Sequence, residues 1–240
     1  MTALLGLRHI SYTYPGRNHI VLDNIDVELS ETERVGLIGS NGSGKTTLLH
    51  IMMGLIAPDG GDVLFKQQPC RTEADFSRLR REVGFVFQHA DDQLFSPTVL
   101  DDVAFGPLNQ GLSPEQAREK ASETLAQLGL TGFEDKITHR LSGGEKRLVA
   151  LATILSMDPA VLILDEPTND LDPDTRDRLI NILRNLPQAL LIVSHDWDFL
   201  HQTVETLMNL DQGHLHILDK STLHTHRHTH VGGSVEHHHA

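Results

Sequence analysis

One cysteine, two tyrosines and one tryptophan are all that this 240-residue chain holds of those three types. The single thiol, Cys70, cannot close an internal disulfide, and no cysteine pair of metal-site spacing exists. Basic charge is scarce as well: 20 Lys and Arg stand against 33 Asp and Glu, a formal net charge of −13. That balance disfavours DNA or RNA as the principal partner, because nucleic-acid binders present a basic face. No apolar run approaches the roughly 20 residues that span a bilayer. The N-terminal MTALLGLRHI has an apolar patch too short for a secretory signal and broken by Arg8. These absences lead us to expect a cytosolic chain. Its length suits one large domain, or one domain with a subdomain.

What is present is organised around Arg34 to Thr47, RVGLIGSNGSGKTT. Val35 to Ile38 reads as a buried strand and Leu48 to Met53 as the start of a helix. Between them, Gly39 to Thr46 spells G-x-x-x-x-G-K-T, and the strand–turn–helix setting makes it a phosphate loop. Gly39, Gly42 and Gly44 allow the tight backbone bend that turns several N–H groups toward phosphate oxygens, with Ser40, Asn41 and Ser43 between them. The following helix adds the positive end of its dipole. Lys45 supplies a charge for the β- and γ-phosphates, the Thr46 hydroxyl suits Mg²⁺, and Thr47 faces the α-phosphate side. The stretch predicts a nucleotide site.

Other segments fall around this loop in an α/β pattern. Residues 4 to 29 alternate apolar and polar positions, as two or three antiparallel strands would, and Tyr14 at a Pro-Gly turn suits an adenine-stacking platform or plain strand packing. The run Val83 to Phe87 ends at Gln88, and the carboxyl end of a buried strand is where open α/β sheets place ligand-facing residues. Residues 66 to 82 read as a polar segment. Ser113 to Leu130 carries an N-cap, Pro at the first helical position and apolar residues at helical spacing. We expect a small helical subdomain over roughly residues 90 to 145.

In LSGGEKRLVALATILS, from Leu141, Ser142 is a natural N-cap with Glu145 completing a capping box. Gly143 and Gly144 leave N–H groups free for an anion at a second helix start, far in sequence from the first. The apolar run Ala160 to Leu164 reads as a buried parallel strand ending in Asp165-Glu166. Asp165 is placed to hold Mg²⁺ beside Thr46, and Glu166 is the candidate general base toward an attacking water. Ala189 to Val193 ends in Ser194-His195-Asp196, where His195 suits a γ-phosphate contact.

Taken together, and from Leu4 to about Asp219, the chain resembles the nucleotide-binding subunit of ATP-binding-cassette (ABC) transporters. The resemblance rests on Tyr14, the phosphate loop, Gln88, LSGGE at Leu141 to Glu145, Asp165-Glu166, Leu171-Asp172 and His195. The family often has glutamine where Glu145 stands. The resemblance implies an α/β P-loop NTPase fold with an N-terminal antiparallel β subdomain and an inserted helical subdomain. It implies ATP and Mg²⁺ as cofactors and a head-to-tail dimer, with itself or a homologous ATPase. In that dimer Ser142 and Gly144 of one copy touch the γ-phosphate held by the other copy's loop, and Asp172 faces that loop. Gln88 senses Mg²⁺ and water, Glu166 activates water, and His195 holds the γ-phosphate.

The segment Phe87 to Ser113, FQHADDQLFSPTVLDDVAFGPLNQGLS, resembles the cobalt/nickel branch of energy-coupling-factor importers. In that branch it forms the groove for a coupling helix of an integral membrane subunit, which implies a peripheral place on the cytoplasmic face of the cell membrane. An energising subunit for vitamin uptake, or a soluble ABC ATPase of cofactor assembly, are the rival readings. From His214 onward stand nine of the sixteen histidines. His224, His226, His228 and His230 alternate in a way that suits Ni²⁺, Co²⁺, Zn²⁺ or Cu²⁺, an expression tag being the plain alternative. Residues 221 to 240 are expected to form a flexible His-rich tail.

Overall fold

The structure is a computed structural model that describes residues 3–16 and 19–218, and the backbone of two strands at 227–230 and 233–237. The chain opens with β1 (Ala3–Thr13) and β2 (Ile20–Ser30), paired antiparallel with Leu7 opposite Val27. Then come β3 (Arg34–Ile38) and α1 (Lys45–Met52), with the phosphate loop between them. β4 (Gly60–Phe65) and β5 (Gln68–Cys70) complete a four-stranded sheet in the order β2-β1-β4-β5. This is the antiparallel subdomain expected from the alternation of residues 4 to 29.

The segment read as merely polar is more than that. After β5 it forms α2 (Glu73–Glu82), with Thr72 and Asp75 closing a capping box. Only Leu79 of this helix is buried, so no apolar stripe announced it. Cys70, which sequence places in a polar stretch, is buried, and burial pushes its thiol up from the ordinary range, with the Asp75 charge adding to the effect.

Next are β6 (Val83–Val86), α3 (Val99–Asn109), α4 (Pro114–Gln127) and α5 (Gly143–Leu155). The Ser113 side chain accepts from Gln116 N–H, and Gly129, at φ +67°, ends the helical turn after α4. β7 (Val161–Asp165), α6 (Pro173–Asn185), β8 (Ala189–Val193) and α7 (Trp197–Thr203) follow, and β9 (Thr206–Asp211) and β10 (His214–Leu218) end the second sheet. Its strand order is β10-β9-β3-β8-β7-β6, parallel except for the hairpin partner β10.

The five-residue apolar runs are explained by burial on both faces. Val161 and Ile163 of β7, with Ala189, Leu191 and Val193 of β8, join the antiparallel sheet and α1 in one core. Leu162, Leu164, Leu190 and Ile192 point the other way, into a second core with residues of α3 to α7. A parallel strand covered on both faces needs no polar alternation, and each such side chain contributes roughly 1.5–3 kcal/mol by leaving water. The phosphate loop, Gln88, Asp165-Glu166 and His195 all leave the carboxyl ends of neighbouring strands, which gathers residues distant in sequence at one rim.

In the tail, β11 (Arg227–His230) pairs antiparallel with β12 (Gly233–His237) in a two-stranded sheet of their own. The alternation that suits imidazole spacing also has the period of a strand.

Candidate nucleotide site

The loop closes as its glycines require. Gly39 (φ +149°) and Gly44 (φ +106°) adopt backbone open only to glycine at low cost. A Cβ on Gly39 would stand 2.4 Å from the Leu210 carbonyl oxygen, and one on Gly44 would stand 2.8 Å from Val21 Cγ1. Gly44 caps α1, so the first N–H groups of that helix face the loop. Lys45 Nζ donates to the carbonyls of Gly39 (2.8 Å) and Ser40 (3.0 Å), which lays the amine along the inside of the turn. Burial lowers the pKa of Lys45, and the carboxylates of Glu166 and Asp165 work against that shift. The buried Ser43 hydroxyl has no hydrogen-bond partner in the fold.

Asp165, at the end of β7, is 3% exposed, and its Oδ2 accepts from Thr46 Oγ1 at 3.2 Å. Burial pushes its carboxyl up, opposed by the Thr46 hydrogen bond and by the charges of His50, Lys45 and Arg147. Glu166 follows in left-handed backbone at φ +47°, its N–H donating to Val193 O at 2.9 Å. For a non-glycine residue that conformation costs roughly 1–3 kcal/mol, and such outliers cluster at functional sites. The turn aims the Glu166 carboxylate at His195: His195 N–H donates to Oε2 (3.3 Å) and Nε2 lies 3.2 Å from Oε1. Burial raises the pKa of Glu166, with His195 as the main opposing influence.

These residues meet in one open cavity of about 600 Å³, within the range of ligand pockets. Tyr14, Asn41, Gly42, Gly44, Lys45, Thr46, Thr47, Gln88, Asp165, Glu166 and His195 line it. His19, Val21 and Asn169 also line it and were not singled out from the sequence. Tyr14 does more than cover the mouth: its OH is 2.8 Å from Thr47 Oγ1, and its ring meets Tyr12 edge-on at 5.1 Å. The Thr47 hydroxyl thus has a protein partner of its own.

Ser142, Gly143, Gly144 and Asp172 are elsewhere. The Ser142 side chain accepts from Glu145 N–H at 3.3 Å, and the Ser142 N–H donates to Glu145 Oε2 at 2.8 Å, the reciprocal box expected from the sequence. Lys136 Nζ donates to Glu145 Oε1 at 2.9 Å and fixes the cap from outside. Gly144 lies against α6, where a Cβ would come within 2.9 Å of the Thr175 side chain. Asp172 caps α6, its side chain accepting from Thr175 N–H (3.0 Å) and Thr175 Oγ1 (2.7 Å). Those hydrogen bonds hold the Asp172 carboxyl below the usual range. Signature and Asp172 therefore share one surface, and neither lines the cavity of its own chain.

Sequence reasoning missed the side chains that tie these loops together. Arg147, 6% exposed, donates to the carbonyls of Phe87 (2.8 Å) and Gln88 (2.6 Å), anchoring the Gln88 loop to the signature helix. Gln93 donates to Ala150 O and Thr153 Oγ1, both at 2.7 Å, while its Oε1 accepts from Phe87 N–H at 3.3 Å. Arg176 makes a two-pronged pair with Asp196 at 2.6 and 2.9 Å. The available signal was an arginine on the otherwise apolar face of α5, since Leu148 and Leu151 beside it are buried.

Of the tail histidines, His224 and His226 lie outside the described residues, and His228 and His230 fall on β11. Among the described residues no group of three or more His, Cys, Asp or Glu is arranged to hold a metal ion.

Fold and site together define a P-loop nucleotide-binding cassette. The ABC transporter family model matches residues 22–169. The chain is 56% identical over 236 residues, 98% of its length and 86% of the relative's, to an ABC transporter ATP-binding protein of Nitratidesulfovibrio vulgaris strain Hildenborough. It is 42% identical over 216 residues to the energy-coupling factor transporter ATP-binding protein EcfA of Methanothermobacter thermautotrophicus, covering 88% of this chain and 69% of that one. Among solved structures, cbiO1 of Clostridium perfringens, part of the ABC transporter complex cbiONQ, superposes with TM-score 0.81 at 33% identity, covering 90% and 87% of the two chains. The ATP-binding cassette MJ0796, solved as a dimer in a post-hydrolysis state bound to ADP and Pi, gives TM-score 0.80 at 27% identity over 90% and 99%. The chain belongs to the ABC transporter family as its ATP-binding cassette, and it is an ATPase.

Proposed function

We propose that this ATPase is the energy-coupling subunit of an importer for a divalent metal, nickel or cobalt, acting as a head-to-tail dimer against a membrane subunit. One observation carries the dimer: the phosphate cradle and the exposed α5 start at Ser142 and Gly143 both offer donor groups suited to anions, yet they occupy separate places on one chain, with the Asp172 cap of α6 beside the second. Two copies related by a two-fold axis bring each cradle against the other's signature, the isologous arrangement expected of a symmetric dimer. The dimeric state of the related cassette bound to ADP and Pi supports this reading.

Within each site Lys45 and the loop N–H groups bind the β- and γ-phosphates, and the partnerless Ser43 hydroxyl suits a phosphate oxygen. The hard oxygen donors Thr46 and Asp165, 3.2 Å apart, fit Mg²⁺, with Gln88 lining the same cavity. When bound, the ion neutralises charge on the phosphate oxygens. Glu166, held toward the cavity by its turn and by His195, accepts a proton from the attacking water, and burial favours that acceptance. The Ser142 hydroxyl and the N–H groups of the α5 N-terminus stabilise the same charge from the other copy.

The coupling surface is argued from α3 and the loop before it. Phe95 (66% exposed) and Phe105 (46%) meet edge-to-face at 4.8 Å, beside the exposed Leu108. Asp102 fixes this patch, accepting the N–H groups of Phe95 (3.2 Å) and Ser96 (2.9 Å). An aromatic patch beside the Gln88 loop suits an apolar helix of a membrane partner, and no helix among the described residues is long and apolar enough to cross a membrane itself. The similarities to EcfA and to cbiO1 support the importer type. We assign the alternating histidines 224, 226, 228 and 230 to the same class of ion, Ni²⁺ or Co²⁺, bound in the tail.

The test is reconstitution. Co-purification from membranes should recover integral membrane subunits, and uptake of ⁶³Ni or ⁵⁷Co by cells expressing the assembly should stop with Glu166→Gln. Uptake that survives the substitution contradicts the coupling role, and assemblies that move neither ion contradict the metal assignment.

A further inference from the structure

The surface at the N-terminus of α6 and the tip of β8 are joined by one continuous set of polar contacts. Arg176 N–H donates to the carbonyl of Asp172, one turn earlier. Its guanidinium forks onto Asp196, Nε to Oδ2 at 2.6 Å and Nη2 to Oδ1 at 2.9 Å. Asp196 in turn is immobilised: its Oδ1 accepts Phe199 N–H at 2.9 Å, capping α7, and its own N–H donates to Ser194 Oγ at 3.1 Å. Ser194 is fully buried. The residue caught between Ser194 and Asp196 is His195, whose backbone and ring both contact Glu166. Arg176 and Asp196 are about a quarter exposed (23% and 27%), and a two-pronged pair of that geometry fixes relative orientation as a single-point contact does not.

We infer that Arg176 is a positioning residue for hydrolysis: through Asp196 it locks the His195 loop to α6, so that the place of Asp172 sets the place of His195 against Glu166. The assignment rests on the roles proposed above for His195 and Glu166 and on the two-copy sandwich that brings Asp172 to the seam. Arg176, outside the nucleotide cavity, links the seam to the reacting end. Lysine at this position would keep the charge without the fork, and asparagine at 196 would keep the α7 cap without the charge.

The experiment is a set of double-mutant cycles on steady-state ATP hydrolysis, with nucleotide affinity and thermal midpoint measured alongside. Arg176→Gln should lower kcat about tenfold while KM for ATP stays within twofold. Asp196→Asn should do the same, the double variant should be no slower than either single one, and Arg176→Lys should restore little. In a His195→Ala background, Arg176→Gln should cost nothing further. An equal loss with and without His195 would overturn the inference, as would unaltered turnover in Arg176→Gln, or a loss that follows the thermal midpoint. Failure of the underlying reading has a separate sign: Glu166→Gln would then hydrolyse ATP normally or stay monomeric with ATP, whatever the Arg176 cycle shows.

Discussion

The phosphate-loop cavity and the signature surface of this cassette are built on opposite plans. The proposed phosphate cradle lies within its own chain: Lys45 and Thr46 after β3, Asp165 and Glu166 at the end of β7, and His195 after β8 line one cavity. The signature surface is a pair of helix starts whose side chains are occupied with capping, Ser142 against Glu145 and Asp172 against Thr175. It has donors but no enclosing wall. A cradle can bind nucleotide alone, whereas a bare helix start needs something brought to it. Mutations in the first should therefore remove binding or chemistry in each copy, and mutations in the second should act only once two copies meet.

Substitutions can break that contrast. The largest effect is expected from Glu166→Gln, which keeps the shape of the cavity and removes the proposed proton acceptor: kcat should fall by about 10²–10⁴-fold with nucleotide still bound. Near-normal turnover would take the general-base role away from Glu166. Lys45→Ala should weaken ATP binding at least tenfold by equilibrium titration, since its charged hydrogen bonds belong to the cradle. Unchanged affinity would mean that the loop N–H groups suffice. Ser142→Ala should leave binding to isolated protomers within twofold and lower hydrolysis. It should also cost about 1 kcal/mol of stability as a lost cap, read from denaturant unfolding. Equal loss of protomer binding would erase the distinction between the two surfaces. The smallest effect on the isolated protein is expected at the exposed Phe95: Phe95→Ala should change stability by less than about 0.5 kcal/mol. It should leave basal hydrolysis intact while uptake in the membrane assembly fails, and a matching loss of both would point to a folding role.

The same contrast explains what could be read in advance. The cradle was legible because its chemistry is local: glycines, Lys45 and Thr46 sit in one short run, and buried parallel strands show as unbroken apolar stretches before Asp165 and His195. The capping box at Ser142 was legible for the same reason, four residues holding the whole interaction. α2 was not, because a helix burying only Leu79 has no stripe to display. The ties through Arg147 and Arg176 were hidden for a different reason. They join residues 60 and 20 positions apart, and nothing in the local pattern of either partner marks it for the other. Tyr14 illustrates the middle case: its place at the cavity was expected, but its hydrogen bond to Thr47 needed the turn after β1 to be brought against α1.

Sedimentation velocity of Glu166→Gln with saturating MgATP tests the sandwich of two copies most directly. A shift from monomer to dimer that requires ATP, and that Ser142→Ala weakens in the same background, is the expected result. A chain that remains monomeric with ATP bound, alone and with its membrane partner, would contradict it.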